Sequence, residues 1–233
     1  TFDYPEEFFK ERIHNIRRPR PDDFQIKQAV EKIKNSKKPI IISGGGVFYS
    51  DAMDELGNFA IKHNIPVTQT VMGYSTMKRD HSHFVGPIGG LGGKAANNLA
   101  KETDLAICIG TKLADFTTGS WANFENPEFK LVSINIARHD ANKHLAEAVI
   151  GDAKVTLTEL SNAIGDWKSS DSWHKKSQVE LKSWNEYVDK ESGPTNQELP
   201  SYAHAVGAIY RNSDPTDIAV TAAGGLVGEV VQV

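Results

Sequence analysis

The chain has 233 residues, 24% of them charged, and a formal net charge of -4. That balance excludes a general nucleic-acid binder, because the only dense basic cluster, Arg17-Arg18-Pro19-Arg20, reads as a solvated connector rather than a phosphate-neutralising face. The one cysteine, Cys108, can form no internal disulfide and sits in an apolar run as a small core residue; no stretch is long or apolar enough to span a bilayer, and the start lacks the positive-then-apolar pattern of a secretory signal, so a reducing cytoplasm is the expected compartment.

Residues 1–21 are rich in proline, aromatics and charge without a sustained period, and are expected to form an inter-domain arm. Regular structure begins at Asp22 and Asp23, which can cap a helix whose apolar positions Ile26, Ala29, Val30 and Ile33 share one face. The run Pro39-Ile40-Ile41-Ile42-Ser43 then reads as a buried parallel strand that opens onto Gly44-Gly45-Gly46. A second helix is expected from Ser50-Asp51 onward, carrying Leu56, Phe59 and Ala60, and leads to a strand around Val67 to Val71.

The pattern repeats. A helix from Ala95 to Lys101, strands at Leu105 to Ile109, Leu131 to Ile136 and Ala148 to Ile150, and a helix from Ala153 to Ile164 complete a domain over 22–165. Strands alternating with helices, several uniformly apolar, imply an α/β fold: a doubly wound parallel sheet of the Rossmann-like kind with helices on both faces. Ligands in such sheets bind at the strand C-terminal ends, which here means the loops after each apolar run.

Residues 166–199 are polar and helical, with Trp167, Trp173, Leu181, Trp184 and Val188, and read as a linker helix docked by its aromatics. Gly193-Pro194-Thr195-Asn196 breaks it. Over 200–233 a helix with Tyr202, Ala205, Val206 and Ile209 precedes a strand at Ile218 to Thr221 and the turn Ala222-Ala223-Gly224-Gly225-Leu226, as at the start of a further α/β domain. The chain begins at Thr1 without an initiator Met and stops at Val231-Gln232-Val233 inside an apolar segment, so it is expected to be a piece of something longer, with apolar surface exposed near Phe8, Phe9 and Leu226.

Each glycine motif has a functional and a structural reading. Gly44-Gly45-Gly46 lies between a strand and a helix as a dinucleotide loop would, yet lacks the Gly-x-Gly-x-x-Gly spacing, so a tight turn or close packing competes with contact to FAD, NAD or ADP. The run from Gly86 to Gly93 could offer backbone amides to a phosphate, but no Lys-Ser/Thr pair follows it. Asp115-Phe116-Thr117-Thr118-Gly119-Ser120-Trp121 has hydroxyls and an acid at a strand end, with no histidine placed to activate them. His81 and His83 could share a metal, although the carboxylates and cysteines of a zinc centre are missing and a surface position is the simpler reading; a zinc-dependent NAD deacylase would need four cysteines.

Taken as an ordered set, Lys38-Pro39-Ile40-Ile41-Ile42-Ser43-Gly44-Gly45-Gly46-Val47, Ile65-Pro66-Val67, Gly86 with Gly89, Asp104-Leu105, Ile109-Gly110-Thr111-Lys112-Leu113 and Gly151-Asp152-Ala153 resemble the central domain of the thiamine-diphosphate-dependent enzymes, the acetolactate synthase and pyruvate oxidase group. The likeness covers about Pro21 to Leu160. Further stretches, Tyr4-Pro5-Glu6-Glu7-Phe8-Phe9 with Arg12 and His14, Gly46-Val47-Phe48-Tyr49-Ser50, the 115–121 motif and Ala222-Ala223-Gly224-Gly225-Leu226 with Gly228-Glu229, are similar to the branch that hydrolyses a C–C bond of a cyclic 1,2-dione in inositol catabolism; Val227 stands where that branch commonly has proline.

The resemblance implies a three-domain parent, a homodimer or homotetramer, with thiamine diphosphate and Mg2+ bound between its first and third domains, and with this chain inactive by itself. It implies that Gly224, Gly225, Leu226 and Glu229 edge the thiamine diphosphate site, that Gly44, Gly45, Gly46, Gly110 and Thr111 are a vestigial nucleotide site, and that the chain holds no catalytic residue or metal ligand. FAD is not expected in this branch. A nucleotide-binding module, or the central domain of an acetolactate synthase or a malonic semialdehyde decarboxylase, is the alternative, and the partners implied are the missing N- and C-terminal domains rather than nucleic acid or membrane.

Overall fold

In the computed structural model, which describes residues 2–214, 216–222 and 224–232, the chain folds around one parallel sheet. Thr1, Ala223 and Val233, named in the expectations above, lie outside the described residues. The first helix, α1 (Asp23–Asn35), starts where Asp22 accepts the amide of Gln25 at 2.8 Å, as its sequence predicts. Strand β1 (Pro39–Ser43) follows, buried along its whole length. The glycine turn is no open loop: Gly44 caps a one-turn helix, α2 (Gly45–Tyr49), and left-handed Asp51 (φ 53°) separates it from α3 (Met53–His63), which therefore starts two residues later than expected.

Strand β2 (Val67–Gln69) stops earlier than expected because the Thr70 hydroxyl accepts the Gly73 amide and draws 71–73 into a tight turn. Strand β3 (Phe84–Pro87) has no counterpart in the sequence reading. Its Gly86 and Pro87 are turn residues by propensity, and they are tolerated because β3 is an edge strand, bonded on one side only. Then come α4 (Lys94–Glu102), β4 (Leu105–Ile109), α5 (Asp115–Thr118), β5 (Lys130–Asn135), α6 (Arg138–Ala141), β6 (Glu147–Ile150) and α7 (Ala153–Ile164). The last is capped by Asp152, whose carboxylate accepts the amides of Lys154 and Val155.

The strand order β3-β2-β1-β4-β5-β6 reverses direction at β1 and β4, and every pairing is parallel. Ile41, Ile107 and Val132 face α1, α3 and α7, packing on Ala29, Phe59 and Leu157; Ile40, Ile42, Ala106 and Cys108 face the other way, onto Ala96, Leu99 and Ala100 of α4. Burying each such isoleucine contributes about 2 kcal/mol, which explains why strands apolar on both faces form here.

The second face is completed by α8 (Asp171–Glu191), the segment expected as a linker helix. It packs along α4 and β3, and Trp173, 3% exposed, donates its indole Nε1 to the carbonyl of Pro39 at 2.8 Å. Beyond it, α9 (Tyr202–Asn212), opened by a Ser201/His204 capping box, packs against α10 (Gly225–Gln232). The strand expected at Ile218 to Thr221 does not form; Ile218 and Val220 are almost fully exposed, with no neighbouring strand to supply a hydrogen-bonding ladder.

The expected solvated connector is also corrected. Arg18 bonds both carboxylate oxygens of Asp152 at 3.1 Å and the carbonyl of Ser50, Arg20 pairs with Glu159, and the Pro19 carbonyl accepts the Asp152 amide, so the end of the arm is tied to the start of α7. Upstream of this tether Tyr4, Phe8 and Phe9 cluster together but stay exposed. No described helix is long and apolar enough to cross a membrane.

Candidate functional site

The reversal of strand order between β1 and β4 marks the crevice where sheets of this type receive ligands. Three loops meet there, and they meet backbone to backbone. The Gly44 amide donates to the carbonyl of Ile109 at 2.8 Å, that of Gly46 to Gly110 at 3.0 Å, and that of Gly110 to Ile134 at 2.8 Å. A Cβ on Gly44 would lie 2.4 Å from the Gly110 carbonyl oxygen, and one on Gly46 2.6 Å from the Gly110 Cα. Gly110 itself is left-handed, at φ 61°. The glycines thus let β1 and β4 run into turns that touch, and the space a pyrophosphate would need beside Gly44 and Gly46 holds protein backbone.

Thr111 is pinned next to them. Its carbonyl accepts Asn135 Nδ2 at 3.0 Å, and Asn135 Oδ1 in turn accepts the Ala137 amide at 2.9 Å. Gly45 closes on the third loop, where a Cβ would lie 2.9 Å from the Met72 carbonyl oxygen. Around this closed centre stand Lys112, Arg138, His139 and Asp140, the last held below the usual carboxylate range by its hydrogen bond from Lys143. Cys108, fully buried, has its thiol pushed up by burial and is inert.

The run from Gly86 to Gly93 is committed as well. The Gly89 amide donates to Asn97 Oδ1 at 3.0 Å, Gly90 to Phe116 O at 2.7 Å, Gly92 to Gly89 O at 2.9 Å and Gly93 to Pro87 O at 2.8 Å. An anion at these four glycine amides would have to displace these bonds. In the 115–121 motif, Gly119, Ser120 and Trp121 are all left-handed, and His144 approaches the Trp121 ring, centroids 4.4 Å apart, rather than a hydroxyl. His83 is buried, not superficial as expected, and its ring stacks on His174. Among the described residues no three His, Cys, Asp or Glu side chains converge as metal ligands.

At the other end of the chain, Gly224 (φ 143°) leads into α10, where Gly225 lies against the ring of Tyr202 and Leu226 is 38% exposed. Glu229 and Gln232 line a cleft of about 700 Å³ with Lys94, Asn98, Trp184 and Tyr187. Of the residues expected at cofactor sites only Glu229 lines that cleft; Gly224, Gly225 and Leu226 do not, nor do Gly44, Gly45, Gly46, Gly110 or Thr111. A diphosphate with its divalent cation needs converging oxygen ligands or free amides. The amides of Gly44, Gly46, Gly89, Gly90, Gly92 and Gly93 are already bonded within the chain and so are not among such free amides.

A six-stranded parallel sheet of Rossmann order, with its switch-point crevice closed by its own glycines, defines a domain of the α/β class. The chain belongs to the thiamine pyrophosphate enzyme family, whose central domain matches residues 26–160. It is similar to the 3D-(3,5/4)-trihydroxycyclohexane-1,2-dione hydrolase of Clostridium perfringens strain 13, at 36% identity over 99% of this chain and 40% of that protein. The enzymes of the same name from Bacillus anthracis strain CDC 684 and Clostridium tetani are 37% and 45% identical, over 99% and 70% of this chain and 39% and 25% of those proteins. The chain thus spans about 40% of the length of the curated relatives that it matches end to end.

Proposed function

We propose that this chain is the central, scaffolding part of a thiamine-diphosphate-dependent hydrolase that cleaves a C–C bond of a cyclic 1,2-dione, in the reaction for which its relatives are named. The observation that carries the reading is the match along 99% of the chain to enzymes of that one name, in which the chain fills only 40% of the length. The cofactor would supply the electron sink for C–C cleavage, with Mg2+ at its diphosphate, and would be held mainly by parts of the parent beyond these residues. The parent is read as a cytoplasmic homo-oligomer. Gly224, Gly225, Leu226 and Glu229 are assigned to the edge of that site; the open surroundings of Gly224 and the placement of Glu229 on a cleft wall support this.

The experiment compares this chain with the protein extended to the length of its relatives, each supplied with thiamine diphosphate, Mg2+ and the cyclic dione. The extended protein is expected to turn over and the 233-residue chain to give no product above the cofactor-only blank. Turnover by the shorter chain, or an extended protein that ignores the dione and condenses pyruvate, would overturn the reading.

Gly44, Gly45, Gly46, Gly110 and Thr111 are assigned to a spent nucleotide crevice that now serves packing. The committed amides of Gly44 and Gly46 support this. Calorimetric titration with FAD, NAD and ADP at millimolar concentration is expected to register no heat. A micromolar Kd for any of them would restore the crevice as a binding site.

A further inference from the structure

Three histidines, His81, His83 and His174, gather where α8 docks, and a fourth, His63, holds the segment that leads from α7 to α8. His83, immediately before β3, is 7% exposed, and its ring stacks on that of His174 in α8 with centroids 4.2 Å and planes 20° apart; the His81 ring lies 5.9 Å from His83. His83 is fixed by Ser82 Oγ at 3.0 Å and by Asn64 Oδ1 at 3.2 Å. Asn64 ends α3 in the left-handed conformation and gives its Nδ2 to the Ser169 carbonyl at 3.2 Å and to Asp171 Oδ1 at 3.1 Å. Its amide orientation is thereby set, which makes His83 Nε2 the N–H donor and leaves Nδ1 to accept from Ser82.

His63, fully buried at the end of α3, holds the same segment through Nδ1 to the Trp167 carbonyl at 2.9 Å and Nε2 to Ser161 Oγ at 3.1 Å. The Ser169 amide returns a bond to the His63 carbonyl at 2.9 Å. His174 Nδ1 is buried without a partner. A proton on His174 would have no acceptor there, and a proton on either stacked ring would set a positive charge against its neighbour.

We propose that the contact of His83 and His174, supported by His63 and His81, is an acid-labile latch that lets the start of α8, with Trp173, leave the sheet while the six-stranded core stays folded.

Asp80 beside His81 and Asp171 beside His174 favour protonation, whereas Lys62 and Lys168 oppose it at His63. Burial outweighs the two acids and keeps His63, His81 and His174 below the ordinary histidine value, and it pulls His83 down to about 4, with the neighbouring His174 and His81 adding to the effect. All four are therefore neutral when docked and regain the ordinary value of about 6.5 when released. The latch holds fully above about pH 6.5 and is lost as the pH falls from there toward 4, because the released state binds the protons. From His83 alone, the opening equilibrium rises about tenfold between pH 7.5 and 5.5.

Amide hydrogen exchange on the whole chain, corrected for intrinsic rates, tests the proposal. Residues 169–178 are expected to lose at least about tenfold in protection between pH 7.5 and 5.5 while β1, β4 and β5 keep theirs. The double variant His83→Gln/His174→Phe, which keeps side-chain bulk and cannot protonate at these two positions, is expected to lose clearly less protection at pH 5.5 than the parent sequence. Unchanged protection of 169–178 in the parent sequence, loss shared equally by the central strands, or a variant that opens as the parent sequence does would each overturn the latch. Should the variant already be open at pH 7.5, the histidine C2–H titration of the unmodified chain decides: inflections of His83 and His174 must coincide with the opening of 169–178, and a separation of more than about one pH unit overturns the proposal.

Discussion

Gly89→Ala is expected to lower the melting temperature by roughly 10 °C, the largest effect of any glycine substitution in the chain. Gly89 has φ 107°, and a Cβ there would lie 2.0 Å from the Phe116 carbonyl oxygen and 2.9 Å from the Thr117 Cα. Both obstacles are backbone, so neither can rotate away. The carbonyl that must retreat is the acceptor of the Gly90 amide at 2.7 Å, and Gly89 itself exchanges two bonds of 3.0 Å with the Asn97 side chain. An unfavourable φ costs about 1 to 2 kcal/mol and a forced backbone shift about 1 to 3, which together reach about 2 to 5 kcal/mol. Gly90→Ala is the control, because its Cβ would meet nothing closer than the same oxygen at 3.8 Å, and its cost should stay below about 1 kcal/mol. Thermal melts of the two variants check the prediction. Equal losses would mean that the loop, and not the contact with α5, governs stability.

Trp173→Ala should cost about 3 to 5 kcal/mol, read as a shift of the urea midpoint without a change in slope. The indole is buried among β1, α4 and α8, with Lys38 Nζ 5.7 Å from its ring centroid and Nε1 bonded to Pro39 O. Trp173→Phe separates the two contributions. It keeps most of the apolar area and loses the hydrogen bond, so its cost should be about 1 to 2 kcal/mol. If the alanine variant costs no more than the phenylalanine variant, α8 is held by its salt bridge from Lys176 to Glu102 and its other contacts rather than by Trp173.

The sequence and the structure agree where local chemistry decides the element. Asp22 caps the helix that its position predicts, and the runs Pro39–Ser43 and Leu105–Ile109 are strands because isoleucine-rich segments of that length gain most when both faces are covered. They part where a long-range neighbour decides. Phe84–Pro87 carries turn residues and becomes a strand only because β2 offers an open edge, while Ile218 to Thr221 has the composition of a strand and no partner. The candidate site follows the same rule. Gly44, Gly46 and Gly110 were visible as glycines after strands, but whether they admit a ligand or a neighbouring backbone depends on how closely two turns 66 residues apart in sequence approach, as the Gly44 and Gly110 contact records.

Nothing in the spacing of His83 and His174 announces that they meet, since one precedes β3 and the other lies on α8, and their contact is made by the path of the chain after α7. Composition, apolar runs and the ordered motif set therefore determined the fold class, the family and the reading of this chain as a central domain, because those properties reside in residues close together in the chain. The tertiary structure decided the rest. It closed the glycine crevice, set the face of the sheet on which the aromatic-docked helix α8 lies, made arginines of the arm into anchors and assembled the histidine latch, because each of these depends on which side chains and carbonyls distant segments present to one another.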